Sequence, residues 1–532
     1  MGRIIPILKP WKPHEQGTSY RPISLLSPIA KLMEKLILPQ LNEHLLPVEH
    51  QHGFRKNRST VTALQRIHHQ IQQGLNSKRP HKRTILIALD MSKAFDTVHH
   101  GRLLQRVENS SLPNYLKRWT TNYLQGRQTY VDFRETKSKY RKVKQGVPQG
   151  GVLSPLLFNL YLRDIPQPPE GIQLISYADD CTILTTGNNI TIMTQEINNY
   201  LKVVNDWLKL QHLQLSPEKS SATLFTLWTR EVNTILDIRI DGNPIPMNKN
   251  PKILGVTLDP LFTFNQHVNN VKNKMQSRTN VLKSLAGSTW GKDKETLSIT
   301  YKAIGRPIAN YAAPIYAPGL CTSSWNKIQR AQNSSLRIIT GCHKISSQEH
   351  TTMLAAQYAL KCHQPSHPNF DLTTVPAPHR NIRQSAINRY KHTVNLLPQP
   401  TSKRRLTRGT KIIHTSIVEG TLESYQDNIV LGGRPPPISK DEGKLPRNTR
   451  TTLAQLRSGW CRILNNYKSR LDNSIADECP DCGLSPHDVG HLFQCPQHPT
   501  NLSTEDLWVH PKEVAEFLNI NADDNDDEED IN

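Results

Sequence analysis

Two sets of residues have the types and spacing to do chemistry. Asp179 and Asp180 stand side by side in LISYADDCTIL (174–184), between apolar runs that read as β-strands, and Asp90 ends the apolar run TILIALD (84–90). If these strands are neighbours, three carboxylates meet at one end of a sheet, where mutual repulsion raises their pKa values. Hard divalent cations relieve that crowding, because Mg2+ takes a few carboxylate oxygens and leaves its other positions to water and phosphate. Two such ions about 4 Å apart, each holding one end of an in-line displacement, suit nucleotidyl transfer. YADD alone reads equally well as an acidic hairpin turn, since Asp is a favoured turn residue.

The second set is near the C-terminus. Two residues separate Cys479 from Cys482, eight separate Cys482 from His491, and three separate His491 from Cys495. On a short helix His491 and Cys495 share a face. Soft thiolates with an imidazole in a tetrahedral set select one structural Zn2+. His487 or His498 could take the place of His491, and two unrelated pairs in a polar loop are the plain alternative.

The elements that must position these groups are an α+β region, a helical one and a small compact module. Residues 1–260 alternate apolar runs such as TILIALD and KILGVTLD with helical stretches such as SPIAKLMEKLILPQLNEHLL. The run 84–90 is apolar on both faces, as in a central strand. In GVPQGGVLSP glycines permit close backbone approach to a ligand, Ser154 is placed to cap, and Pro155 to open a helix. Over 261–345 apolar positions recur at helical spacing. Residues 346–450 are basic and Pro-rich and are predicted to be a largely irregular linker. A compact module is expected over 451–500, with 501–532 an acidic, disordered tail.

Composition narrows the classes. The chain has 532 residues and 36% hydrophobic content, enough for several cores. It holds no apolar run long enough to span a membrane and no secretory signal pattern. The 66 Lys+Arg against 45 Asp+Glu give +21, and DDNDDEED (523–530) concentrates acids in the tail, so the body is more basic still. Such a charge attracts polyanions. Eight cysteines, mostly scattered, are too few for a disulfide scaffold and fit a reducing compartment.

Seven ordered blocks resemble the reverse transcriptases of non-LTR retrotransposons, the Jockey-like group in particular. They are YRPISLLSPIAKLMEKLI (20–37), QHGFRKNRSTVTAL (51–64), ALDMSKAFDTVHH (88–100), QGVPQGGVLSPLLFNLYLRDI (145–165), SYADD (176–180), LQLSPEKSSATLF (213–225) and KILGVTLD (252–259). The stretches LAGSTWG, YKAIGRPIANYAAPIYAP and IQRAQNSSLRIITG resemble the family's thumb and post-thumb segment. The Cys-Cys-His-Cys stretch, with LRSG (456–459) and LNNY (464–467) before it, resembles the family's C-terminal element.

The resemblance implies a right-hand polymerase fold: fingers and an antiparallel palm in 1–260, a helical thumb to 345, and a small zinc-binding module. It implies RNA-directed DNA synthesis from an RNA template, a DNA primer and dNTPs, with action in the nucleus; the missing apolar span and signal pattern lead to the expectation of a nuclear or cytoplasmic, non-secreted chain with no membrane partner. Asp90, Asp179 and Asp180 correspond to the palm's metal-binding acids. Asp90 and Asp179 are expected to ligate two Mg2+ directly, since adjacent strand side chains diverge and Asp180 is left a supporting place. Phe95 matches the aromatic that sits under the incoming sugar, which favours dNTPs over ribonucleotides. Gln149 and Gly150 correspond to contacts with nucleotide and template-primer, Lys9 and Arg21 to finger cations on the triphosphate, and Lys219 to the palm lysine that can protonate pyrophosphate. The family's endonuclease is expected to be missing from this chain, and no RNase H-like acid set follows the thumb. A catalytically inactive, nucleic-acid-binding relic of a truncated element is the other reading.

Overall fold

The computed structural model describes residues 2–45, 48–286, 292–340, 349–374, 385–395, 397, 403–423, 428–433 and 435–520. The chain forms two compact units, one of residues 1–264 and 358–401, the other of 265–357 and 402–532.

The first unit is α+β. Strands β1 (Gly2–Leu8) and β2 (Tyr20–Leu25) pair antiparallel, and β4 (Gln128–Phe133) adds parallel to β1 and carries the two-residue strands β5 (Thr136–Lys137) and β6 (Arg141–Lys142). The second sheet is the one that bears the acids. Its order is β7 (Ile172–Tyr177), β8 (Asp180–Gly187), β3 (Arg83–Leu89), β9 (Ser221–Phe225), antiparallel throughout. Ile85, Leu86 and Ile87 are fully buried, because both faces of β3 are covered and alternate residues must both be apolar.

On one face lies helix α2 (Thr60–Leu75), opened by a reciprocal capping box of Ser59 and Thr62. It fits closely enough that a Cβ on its Gly74 would stand 2.8 Å from Thr84 Oγ1. The other face holds the main core, in which Ile85, Ile87 and Leu89 meet helices α3 (His100–Glu108), α4 (Asn114–Leu124), α5 (Ser154–Tyr161) and α6 (Ile190–Leu210). Helix α1 (Pro28–His44) contributes Leu41 to it.

The expected linker over 346–450 is corrected. Helices Glu349–Cys362, Asp371–Thr374, Ala386–Asn395 and Lys403–Glu423 fall there, and Cys362, Leu372 and Ile387 make a small buried cluster within the first unit. Proline content and charge hid an apolar spacing that is satisfied only against other elements.

The second unit is helical. Helices Asn265–Leu285 and Thr322–Thr340 are pinned by a buried 2.7 Å bond between Thr279 Oγ1 and Ser335 Oγ. Its C-terminal core joins Leu453, Leu456, Cys461, Leu464, Val489 and Phe493 to Leu507, Trp508, Val514 and Ala515. The expected tail from 501 therefore needs correction as well: helices Asp506–Val509 and Pro511–Phe517 are part of this core. The acidic stretch 523–530 and Cys342 lie outside the described residues.

Candidate active site and metal centre

The β7–β8 hairpin turns through two residues, Ala178 and Asp179, with Tyr177 opposite Asp180. Leu89 pairs with Cys181, so Asp90, the next residue of β3, reaches the same sheet end as the turn. The three acids are gathered closely enough to act on one another. Burial, and then repulsion from Asp90, raise the Asp179 carboxyl. Desolvation by the surrounding protein, then the charges of Asp179 and Asp90, push Asp180 up to about 6. Lys219 Nζ stands 3.9 Å from Asp90 Oδ2. The Asp90 backbone is held from both sides, its N–H donating to Ser220 Oγ at 3.2 Å and its carbonyl accepting from Ser216 N at 2.9 Å. The backbone that carries the Asp90 carboxylate is thus fixed in place.

The turn is clamped from below by a strap that sequence reasoning quoted but gave no role. Residues 50–52 run alongside β7: His52 N donates to Ser176 O at 2.7 Å and Ser176 N to His50 O at 2.8 Å. Between them the buried Gln51 side chain accepts from Ala178 N (2.8 Å) and Gly53 N (2.7 Å) and donates to Ala178 O (3.1 Å). Ala178 adopts φ +57, and the two bonds it makes with Gln51 stabilise that left-handed residue. Gly53 is required by close approach, since a Cβ there would lie 2.3 Å from Ala178 N. Asn159 of α5 donates to Gly53 O at 3.0 Å.

Phe95 is half-buried and stacks on Phe158 of α5, centroids 4.4 Å apart and planes 17° off parallel, with Phe54 edge-on at 6.4 Å. The following loop is fastened to it: Val147 N donates to Phe95 O, and Gly146, at φ +85, would bring a Cβ to 2.7 Å from Asp96 O. Gln149 Nε2 donates to Asp96 Oδ1 at 2.9 Å, and Gln149 O accepts from Ser24 N at 2.7 Å. Gly150, at φ +112, has Ser24 O where a Cβ would come within 2.8 Å. Desolvation raises the Asp96 carboxyl, opposed by Gln149 and by the charges of Lys93 and Lys9. Lys9 Nζ donates to Thr18 O at 3.0 Å, and Arg21 stands exposed on β2 opposite Ile7. The charge of Lys9 is thus felt at Asp96.

Ser154 does not cap α5. The helix begins at Ser154 itself, whose hydroxyl turns back to Pro148 O at 2.7 Å. The free N–H groups of Val152 and Leu153 are taken instead by the Glu34 carboxylate, 1% exposed, which also accepts from Tyr123 OH at 2.9 Å. The signal for Glu34 was an acid inside the apolar run KLMEKLI; a buried carboxylate must be hydrogen-bonded.

In the second unit, ligand atoms of Cys479, Cys482, His491 and Cys495 all lie within 4.8 Å of one another. Cys479 N donates to Leu484 O and Gly483 N to Cys479 O, a turn that needs Gly483 at φ +71. Asp488 caps Val489–Leu492 by accepting from His491 N, which aims the ring inward. Burial disfavours the Cys479 thiolate, yet the N–H groups of Cys482 and Asp481 and the nearby His491 bring the thiol down to about 7. His487 Nδ1 is occupied by Asn465 N at 3.1 Å, and His498 pairs with Asp481 at 3.3 Å, so both rings are engaged outside the cluster. Three thiols and an imidazole at this spacing fit a zinc ion. Among the described residues no helix is long and apolar enough to cross a membrane.

An antiparallel sheet with acids at one hairpin, fed by a glycine-rich loop and an aromatic platform, defines a right-hand polymerase palm. Residues 12–258 match the family described as "Reverse transcriptase (RNA-dependent DNA polymerase)". The chain is similar to polymerases of Jockey-like and other non-LTR retrotransposons. It is 34% identical to "Probable RNA-directed DNA polymerase from transposon BS" of Drosophila melanogaster, over 64% of this chain and 38% of that protein. It is 29% identical to "RNA-directed DNA polymerase from mobile element jockey" of the same organism, over 64% of this chain and 37% of that one. The chain thus spans under two-fifths of the length of these relatives. Among solved structures, a telomerase from Candida tropicalis with a fragment of telomeric RNA aligns with TM-score 0.36 and 12% identity, covering 74% of this chain and 64% of that one.

Proposed function

We propose that this chain performs RNA-directed DNA synthesis as the polymerase portion of a non-LTR retrotransposon, extending a DNA primer on an RNA template with dNTPs. The observation that carries the reading is the convergence of Asp90, Asp179 and Asp180 at one sheet end inside a reverse transcriptase domain. Three mutually repelling carboxylates, with pKa values raised at Asp179 and Asp180, are a hard-oxygen donor set that suits Mg2+. Two such ions, when bound, would activate the primer 3′-hydroxyl and offset charge on the triphosphate.

The protein's own groups do the positioning. Asp90 and Asp179 are the direct ligands and Asp180 supports them. The primer 3′-hydroxyl attacks the dNTP α-phosphate and pyrophosphate leaves. Lys219, beside Asp90, is placed to give a proton to that leaving group. Phe95, braced by Phe158, forms the floor under the sugar where a 2′-hydroxyl would collide. Gln149 and Gly150 present the loop to the nucleotide and template-primer, and Lys9 and Arg21 supply charge for its phosphates. Cys479, Cys482, His491 and Cys495 hold one structural Zn2+ that staples the C-terminal core.

The test is primer extension by purified full chain on an RNA template, with and without Mg2+. Asp179→Asn should abolish extension while leaving the fold intact by circular dichroism; activity unaffected by it would sink the mechanism. A wild-type chain that binds RNA yet extends nothing would favour the non-catalytic reading.

A further inference from the structure

The segment Tyr358–Thr374, which returns to the first unit after the helices of the second, makes polar contacts with the first turns of α2. Arg66 of α2 grips it with its whole guanidinium: both oxygens of Asp371 at 2.6 and 2.7 Å, Asn369 Oδ1 at 3.1 Å, and Pro368 O. A bidentate guanidinium–carboxylate pair fixes both distance and orientation. Asn369 is fully buried, and its Nδ2 donates to Thr62 O at 3.2 Å and to Tyr358 OH at 3.0 Å.

Thr62 is where this segment meets the catalytic turn. Its Oγ1 shares a 2.8 Å hydrogen bond with His52 Nδ1, and His52 is the strap residue whose N–H holds Ser176 O. The neighbouring Gln51 holds Ala178, the residue before Asp179. Hydrogen bonds and short stretches of backbone thus connect Asp371 and Asn369, through Arg66 and Thr62, to His52, Gln51 and the Asp179 turn. The far end is itself packed, since Cys362, Leu372 and Ile387 form a buried cluster with Tyr358 against it.

We propose that residues 358–374 are a tie that positions the catalytic turn, with Arg66 and Asn369 as positioning residues for nucleotidyl transfer. The tie fixes the N-terminal turn of α2, and the strap carries that constraint to Asp179. The effect on catalysis rests on the polymerase reading above, whereas the mechanical coupling does not. A 1 Å displacement at a reacting centre can cost about 100-fold in rate, so a partial loosening suffices to lower turnover.

The test uses the full chain with Arg66→Met and Asp371→Asn. Hydrogen exchange is followed in peptides covering 172–180, 190–210 and 358–374, alongside steady-state primer extension. Arg66→Met should speed exchange across 172–180 about tenfold while 190–210 keeps its wild-type protection. It should lower kcat about tenfold with KM for dNTP within twofold. Asp371→Asn, at an exposed position, should show the same pattern more weakly and carries the test if Arg66→Met does not fold. Release of 358–374 with 172–180 and kcat unchanged would overturn the proposal. A wild-type chain without extension activity would refute the polymerase reading, and the exchange data would still decide the tie.

Discussion

Gly53→Ala adds one carbon where the strap meets the catalytic turn. That Cβ would lie 2.3 Å from Ala178 N, 3.0 Å from Gln51 Oε1 and 3.1 Å from Ala178 Cα. The nearest of these neighbours is backbone, so movement of the Gln51 side chain alone does not relieve the clash. The turn or the strap must retreat by about 1 Å to reach ordinary contact distance. Retreat stretches the bonds from Gly53 N and Ala178 N to Gln51, now 2.7 and 2.8 Å. Overpacking of this kind costs about 1–3 kcal/mol, which at roughly 2–4 °C per kcal/mol is a modest fall in Tm for a unit of this size. The larger effect is on rate, because the displaced residue adjoins Asp179 and a shift of that size costs on the order of 100-fold. The assay is single-nucleotide primer extension on an RNA template, paired with a thermal melt. Gly17→Ala is the control, since nothing lies within 4 Å of a Cβ there. Wild-type extension by Gly53→Ala, or an equal loss in Gly17→Ala, would refute the clamp.

Other outcomes follow from the same geometry. Phe95→Ala should let ribonucleotides in, read as a rise of tenfold or more in the ratio of rNTP to dNTP incorporation; unchanged sugar discrimination rejects the floor. The buried His52 has its pKa lowered to about 3, chiefly by burial and then by Arg58, Arg66 and Arg55. Its neutral form is favoured in the fold, so its contribution is present above the ordinary value of 6.5 and is lost as pH falls towards 3. The urea midpoint should drop over that window, and His52→Gln should flatten the drop; an equal slope in both proteins contradicts it. Metal analysis should find one zinc per chain, lost in Cys482→Ser and in Cys495→Ser together with protection of the helices around Leu453 and Trp508. Zinc retained by both variants would reject that ligand set.

Much of the site was legible because its chemistry is local. YADD in an apolar hairpin and Asp90 at the end of a strand apolar on both faces can each be read from period and burial, whereas their adjacency is given by the pairing of β3 with β8. The thiol and imidazole spacing likewise sits within one short stretch, where Gly483 and Asp488 form the turn and cap that aim the ligands. Position in the chain, however, could not choose among His487, His491 and His498. The choice came from Asn465 and Asp481, which engage the other two rings from other turns.

What tertiary structure alone decided is how the acids are held. Gln51, Gly53 and Glu34 look like an ordinary polar residue, a turn glycine and a surface acid in the linear chain. They become a clamp and a loop anchor only when β7 and the Gly151–Leu153 backbone come against them from more than 100 positions away. The stretch 358–374 reads as Pro-rich linker because its apolar residues are few, and Asn369 and Asp371 carry no periodic signal. Their partners, Thr62 and Arg66, lie some 300 residues earlier. Hydrogen-bond satisfaction across such distances is a property of the folded contacts, whereas the residue types that can bind a cation or a thiophilic metal are fixed by the sequence itself.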